Sequence, residues 1–191
     1  ALQRAVTAAV TAALLVVALL LMAQAATGPE GYFLGNWPAP FGIVLVLDRL
    51  SATMLVLVAV LAVIVLTYVI GTGWDRRGRH FHALFLFQLM GLNGAFLTGD
   101  AFNLFVFFEL LLIASYGLMI HGGGAERLRA GVQYVAFNLL GSTLFLFALG
   151  LIYAVTGTLN MADLAGRVAA LPQGDAALMR VAAVLLMMVF A

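Results

Sequence analysis

The sequence contains neither cysteine nor lysine. The lack of cysteine excludes disulfide bonds, thiolate nucleophiles and cysteine metal ligands. The nine basic residues counted apart from histidine are all arginines, they are scattered along the chain, and the formal net charge is only +1. Because so small a charge gives no general attraction for nucleic acid, we predict no nucleic-acid partner.

Charged residues of both signs are scarce. They make up 9% of the 191 residues, against roughly 25% in soluble domains. Hydrophobic residues make up 65% of the chain, and the mean hydropathy is +1.14. This composition predicts an all-α integral membrane protein.

Motifs for chemistry on a soluble substrate are missing as well. The sequence has no glycine-rich phosphate loop, no nucleophile elbow and no paired carboxylates at hydrolase spacing. His80, His82 and His121 lie at predicted helix ends without close carboxylates, so we interpret them as interface residues rather than metal ligands. We therefore predict no enzymatic activity, no cofactor and no metal.

Six hydrophobic segments are long enough to predict transmembrane helices, the last of them incomplete. For the first segment a secretory signal with a cleavage site at Ala23-Gln24-Ala25 is an alternative, but its apolar stretch is longer than a usual signal core. A hairpin near residues 31–47, at the membrane interface, and a surface helix near 160–171 are also predicted. The predicted spans are 2–26, 49–70, 81–97, 101–120, 126–155 and 175–191.

Helix ends and contacts can be predicted from single residues. Asp48, Asp100 and Asn160 stand where an N-cap is expected. Gly91 and Gly94 offer the third span a small-residue surface for close packing against the fourth. The chain starts at Ala1 and stops inside an apolar run, so we expect it to be one segment of a longer membrane protein.

The arginines predict an orientation. Alternating spans place six of them on one side of the membrane and three on the other, so the six-arginine side is predicted to be cytoplasmic, with loops 71–80 and 121–130. The six are Arg4, Arg76, Arg77, Arg79, Arg127 and Arg129, and the three are Arg49, Arg167 and Arg180.

Glu109 is the residue most in need of an explanation. It lies nine residues after Asp100 and twelve before His121, which places it near the middle of a hydrocarbon layer about 30 Å thick. An ionisable group at that depth costs at least ~2.5 kcal/mol if it faces lipid, and such groups usually have a function. We predict a carboxyl that takes up and releases protons; the alternative is a neutral acid that serves packing.

The fifth span contains a polar stripe. Arg127, Tyr134, Asn138 and Ser142 are seven, four and four residues apart and so share one face of a helix. Two interpretations stand side by side: a hydrated path from the cytoplasmic surface, or hydrogen bonds between helices, worth about 0.6 kcal/mol each. We expect a structural role for three polar residues of the third span, Gln88, Asn93 and Thr98. We expect packing for the residues that share the face of Glu109 on the fourth span, with a hydrogen bond as the alternative for Tyr116; these residues are Phe102, Phe105, Leu112, Ile113 and Tyr116.

Six longer motifs lie between residues 80 and 164. They are HFHALF at 80–85, QLMGLNGAFLTGD at 88–100, FNLFVFFE at 102–109, IASYGL at 113–118, NLLGS at 138–142 and TGTLNMADL at 156–164. Together they resemble the D subunit of the Mrp-type multisubunit monovalent cation/proton antiporter. The superfamily to which that protein belongs includes proton-pumping subunits of respiratory NADH:quinone oxidoreductase and of membrane-bound hydrogenases.

The resemblance implies the first part of a bundle of two inverted repeats, within a complex of several antiporter subunits in the inner cell membrane. It implies that Glu109 relays protons in exchange for a monovalent cation, with Na⁺ the expected ion. In that family the matching glutamate pairs with a lysine on a broken helix, and this chain has no lysine. Two alternatives remain: a paralogous subunit of a redox-driven proton pump, and a scaffold subunit without transport of its own.

Overall fold

A computed structural model describes residues 2–190 of the chain. This part of the protein forms seven α-helices and one two-stranded hairpin. In chain order they are α1 Leu2–Ala25, β1 Glu30–Phe33, β2 Val44–Leu47, α2 Arg49–Thr72, α3 Phe81–Leu97, α4 Ala101–Met119, α5 Ala125–Thr156, α6 Met161–Ala169 and α7 Gln173–Phe190.

The helices confirm the all-α membrane class. Four of them, α1, α2, α4 and α5, are long and apolar enough to cross a membrane, with 24, 24, 19 and 32 residues. α3 is apolar but has 17 residues, which at 1.5 Å per residue gives about 25 Å. The exact number of membrane crossings stays a prediction.

The helix bounds lie within two residues of the predicted segments. The largest differences, two residues each, are at α2, which continues through Gly71 to Thr72, at α6, which ends at Ala169, and at α7, which starts at Gln173. α2 ends only at Gly73, whose φ of 68° reverses the backbone direction, because glycine adopts this left-handed conformation without steric cost. All three expected N-caps are present: Asp48, Asp100 and Asn160 accept backbone N–H hydrogen bonds in the first turns of α2, α4 and α6.

The predicted hairpin is present, and it anchors one end of the bundle. β1 and β2 pair antiparallel, with Glu30 opposite Leu47 and Phe33 opposite Val44. The linker between α3 and α4 lies against β2, because the Gly99 N–H donates to the Val44 carbonyl at 2.8 Å. The segment before α6 pairs with the same linker, and the Met161 N–H donates to the Gly99 carbonyl at 2.9 Å. We call this part of the molecule the hairpin end.

The opposite end contains the start of α1 and the loops at 73–80 and 120–124, and we call it the arginine end. Arg4 of α1 forms a two-pronged ion pair with Asp75, with both N–O distances 2.6 Å. His121 Nε2 donates to the Trp74 carbonyl at 2.9 Å, so the two loops touch. The Trp74 ring lies close to two guanidinium groups, those of Arg77 at 4.4 Å and Arg127 at 4.7 Å.

α3 and α4 form a tightly packed antiparallel pair. A side chain at Gly91 would start 2.7 Å from Cβ and 2.9 Å from the backbone nitrogen of Leu111, and one at Gly94 would overlap the Phe107 ring. The prediction that these glycines allow close packing is therefore confirmed. On the other side of α4, the buried residues Phe145, Leu149 and Ile152 of α5 pack with Ala182 of α7. α4 is thus held between α3 and the α5–α7 pair.

Candidate functional site

Glu109 lies in the middle of α4. It comes eight residues after Ala101 and ten before Met119, which corresponds to about 12 Å and 15 Å along the helix. The side chain is half-buried. Its Oε1 atom is buried and has no hydrogen-bond partner among the residues that the structure describes. A buried carboxyl oxygen in this state is unusual, because buried polar atoms are nearly always paired with protein or water.

Glu109 opens into a cavity between α4, α5 and the end of α7. The cavity has a volume of about 310 Å³, enough for several water molecules. Its walls are mainly apolar, and its polar side chains are those of Glu109, Asn138 and Ser142. The remaining lining residues are Phe108, Leu111, Leu112, Phe137, Gly141, Phe145 and Val189.

Two members of the predicted polar stripe thus share a cavity with Glu109. The Asn138 amide donates to the Tyr134 carbonyl at 2.7 Å, and the Ser142 hydroxyl donates to the Leu139 carbonyl at 3.2 Å. Both bonds stay within α5, and within residues 2–190 neither side chain hydrogen-bonds to the buried Glu109 Oε1. The Glu109 carboxyl and the side chains of Asn138 and Ser142 therefore line the same cavity, and neither side chain hydrogen-bonds to Glu109 Oε1.

Tyr134 has a different environment, nearer the arginine end. Its hydroxyl is 3.3 Å from the Ser115 hydroxyl of α4, and its ring meets the Tyr116 ring edge-on at 5.7 Å. Ser115 donates its own hydroxyl hydrogen to the Leu112 carbonyl at 2.7 Å, so Tyr134 is the donor of the bond between the helices. The sequence pattern did not single out Ser115, although Ser115 and Tyr116 are the two hydroxyl residues in the second half of α4.

Arg127 does not reach the cavity. Its guanidinium donates to the His121 carbonyl at 2.6 Å and stacks on Trp74. The predicted four-residue stripe is therefore divided: Arg127 belongs to the loops, Tyr134 to a contact between helices, and Asn138 and Ser142 to the cavity. Thr98, expected to be structural, hydrogen-bonds to the backbone N–H of Asp100 and to the Asn103 amide.

One expectation about the histidines is wrong. His82 has a close carboxylate, since its Nε2 lies 3.2 Å from Asp75 Oδ2. The sequence did not reveal this pair because Asp75 lies in the loop before α3, and the loop folds back over the first helical turn. Two groups are too few to hold a metal, and the structure between residues 2 and 190 contains no cluster of three or more candidate ligands.

A carboxyl group at each end of the bundle has a shifted pKa, and the two shifts have opposite directions. The Arg4 guanidinium, assisted by His82 and opposed by burial, lowers the pKa of Asp75 to about 2. At the hairpin end, burial raises the pKa of Asp100, and hydrogen bonds from the backbone N–H groups of Asn103 and Phe102 partly offset this rise. Asp75 is therefore a permanent anion at neutral pH, and Arg4 neutralises it.

Comparisons with known proteins agree with this architecture. Residues 98–191 match the family described as NADH:quinone oxidoreductase/Mrp antiporter, TM. The chain is 54% identical over 176 residues to the D subunit of a probable K(+)/H(+) antiporter of Rhizobium meliloti (strain 1021), covering 89% of this chain and 32% of that protein. It is 48% identical over 159 residues to the D subunit of the Na(+)/H(+) antiporter of Alkalihalophilus pseudofirmus, covering 83% of this chain and 32% of that protein.

A solved structure shows the same fold. A chain in the structure of the Mrp complex from Dietzia sp. DQ12-45-1b superposes with a TM-score of 0.87 at 32% identity, over 98% of this chain and 35% of that one. The chain spans about a third of the length of the relatives it matches. These matches confirm the resemblance drawn from the motifs: the chain is similar to the D subunits of Mrp-type cation/proton antiporters, and its residues 98–191 match the NADH:quinone oxidoreductase/Mrp antiporter family.

Proposed function

We propose that this chain is part of a subunit of a monovalent cation/proton antiporter, and that Glu109 relays protons in it. The observation that supports the proposal best is the carboxyl of Glu109 itself. It lies in the middle of a long apolar helix, one oxygen has no partner among the described residues, and it opens into a cavity shared with Asn138 and Ser142.

The physical argument concerns the cost of that position. A carboxylate facing hydrocarbon costs at least ~2.5 kcal/mol, whereas water in a cavity that also contains polar side chains, here Asn138 and Ser142, can hydrogen-bond to it. Burial favours the neutral acid, and a nearby cation or water favours the carboxylate. A change in hydration or in a neighbouring charge would then make Glu109 take up or release a proton.

We propose that protons reach Glu109 from the arginine end, past Tyr134 and along Asn138 and Ser142. The contact between Tyr134 of α5 and Ser115 of α4 supports this direction, because it lies between the cavity and the loops at the arginine end. The hydroxyl groups can order water there. The alternative role for Tyr134 is a hydrogen bond that only joins the two helices.

The arginine distribution supports an arginine end on the cytoplasmic side of the inner cell membrane. The relatives' names support partners that are other antiporter subunits and a monovalent cation as the exchanged ion. One relative is named for K⁺ and another for Na⁺. We propose Na⁺, as expected from the sequence motifs, and transport assays with each ion separately decide between them.

The test replaces Glu109 with Gln in the full-length protein within its complex. We expect Glu109→Gln to reduce proton-coupled cation transport in inside-out vesicles to background, because the amide cannot take up or release a proton. Assembly of the complex, measured by co-purification of its subunits, should stay normal. The matched control is Glu126→Gln, the same exchange at an exposed position at the start of α5, which should transport at the wild-type rate.

Two other functions give different results in this experiment. A scaffold role predicts that Glu109→Gln disturbs assembly as much as transport. A role in a redox-driven proton pump, which the family description also includes, predicts co-purification with quinone oxidoreductase subunits and proton transport that requires electron flow. Transport at the wild-type rate in the Glu109→Gln variant would reject the relay in either kind of complex.

A further inference from the structure

The arginine end contains a second concave site, which the proposed transport mechanism does not use. It is a cleft of about 940 Å³ between the start of α1, the 75–80 loop and the first turn of α3. We call it the basic cleft. Its exposed polar residues are Gln3, Arg76, Arg77, Arg79 and His80, and of these Arg77 stacks on Trp74. We propose that the basic cleft binds the phosphate headgroup of an anionic phospholipid from the leaflet at this end.

The charge of the cleft favours an anion. Its single acidic residue, Asp75, is buried and already paired with Arg4 and His82, so it does not neutralise the remaining arginines. Arg76 and Arg79 are exposed and form no ion pair with any residue between 2 and 190. The cleft thus keeps a net positive charge with two guanidinium groups available, and guanidinium matches the geometry of phosphate oxygens.

The backbone adds to this preference. His80 precedes α3 and makes no side-chain hydrogen bond to its first turn. The N-terminus of this 17-residue helix therefore lacks a side-chain cap where it forms part of the cleft wall. The positive end of a helix dipole and its unpaired N–H groups favour an anionic ligand.

The depth of the cleft favours a lipid over a soluble phosphate. The 75–80 loop that lines the cleft connects the apolar helix α2 to α3 and directly follows Trp74, a residue type typical of the membrane interface. On the face of α1 that carries the cleft residue Gln3, Val6 is 48% and Val10 38% exposed, which gives an acyl chain apolar surface on the bilayer side of the cleft. Basic pockets beside transmembrane helices bind anionic headgroups in this way.

The experiment titrates the purified complex, in a zwitterionic detergent or lipid, with phosphatidylglycerol and counts bound lipid by native mass spectrometry. Arg76→Gln and Arg79→Gln should each weaken binding about fivefold, since one arginine near an anionic surface contributes about 1 kcal/mol. The matched control, Arg129→Gln, removes an exposed arginine of α5 outside the cleft and should bind like the wild type.

Because arginines also help to set membrane orientation, the experiment includes two variants that keep the positive charge, Arg76→Lys and Arg79→Lys. Both should keep most of the binding. The proposal is overturned if both glutamine variants bind as tightly as the wild type, or if Arg129→Gln loses as much. It is also overturned if phosphatidylcholine binds equally well. Inorganic phosphate that binds as tightly as the lipid would overturn it too, because it would show a soluble-anion site instead.

Discussion

Asp75 shows how a single residue joins elements that are far apart in the sequence. It receives two hydrogen bonds from Arg4, 71 positions away, and lies beside His82. The sequence places Asp75 in an arginine-rich loop, where several partners are equally plausible, so this pairing could not be predicted. Its effect is to tie the start of α1 to the loop before α3, next to the basic cleft.

The Asp75 ion pair predicts a dependence of stability on acid pH. The pKa of Asp75 is lowered from 3.8 to about 2, so the folded protein binds this proton less readily than the unfolded chain. The stabilisation is therefore complete above about pH 4 and is lost as the pH falls through about 2. We expect Asp75→Asn to lower the Tm of the purified complex by several degrees at pH 7.

The difference in Tm between wild type and Asp75→Asn should stay constant from about pH 7 down to about pH 5 and then shrink as the pH approaches about 2. Thermal unfolding followed by intrinsic fluorescence measures it, with Glu126→Gln as the control for loss of an exposed acid. A difference that persists unchanged at the lowest pH would mean that the Asp75 charge does not stabilise the fold.

Around Glu109, helix geometry predicted part of the arrangement. Residues four apart on α5 had to share a face, and this brought Asn138 and Ser142 into one cavity with Glu109. Arg127 obeys the same spacing but lies at the end of the helix, where a long side chain can turn toward the loops, and it contacts Trp74 instead. The Ser115–Tyr134 contact depends on the packing of α4 against α5, for which the spacing of residues within one helix gives no signal.

At the scale of elements, the α3–α4 pair determines how rigidly Glu109 is held. Gly91 lies against the backbone of Leu111, two residues beyond Glu109 on α4. An added methyl group there meets main-chain atoms that cannot rotate away, so the helices must separate. The close approach thus fixes the position of α4 along α3.

Gly91→Ala is expected to destabilise the protein by about 1–3 kcal/mol, the usual cost of overpacking. The matched control is Gly150→Ala in α5, where no atom lies within 4 Å of the new methyl group; there alanine, the better helix former, should be neutral or slightly stabilising. Unfolding in denaturant or by heat compares the two variants. Equal stability of both would show that α3 and α4 do not depend on this close approach.

Element bounds were predictable because their signals are local. Asp48, Asp100 and Asn160 cap the helices they precede, and Gly73 ends α2. The pairing of the hairpin with the α3–α4 linker, through Gly99 and Val44, was not predictable, because backbone hydrogen bonds between distant segments leave no periodic pattern in the sequence.

At the scale of the whole molecule, three of the described helices, α4, α5 and α7, line the cavity of the proposed proton site. Val189, near the end of α7, lines the cavity with Glu109, while this chain covers about a third of the length of its relatives. The chain contains no lysine, so the basic partner that the family resemblance implies for Glu109 is not among these residues. We expect the proton affinity of Glu109 to depend on the full-length protein, and the decisive measurement therefore uses the assembled complex.

That measurement is infrared difference spectroscopy of the complex in membranes, recorded when a cation gradient is applied. If Glu109 relays protons, the wild type should show a change in the C=O band of a protonated carboxyl group that is absent from the Glu109→Gln variant and present in Glu126→Gln. Identical difference spectra for wild type and Glu109→Gln, in complexes that transport normally, would contradict the central claim.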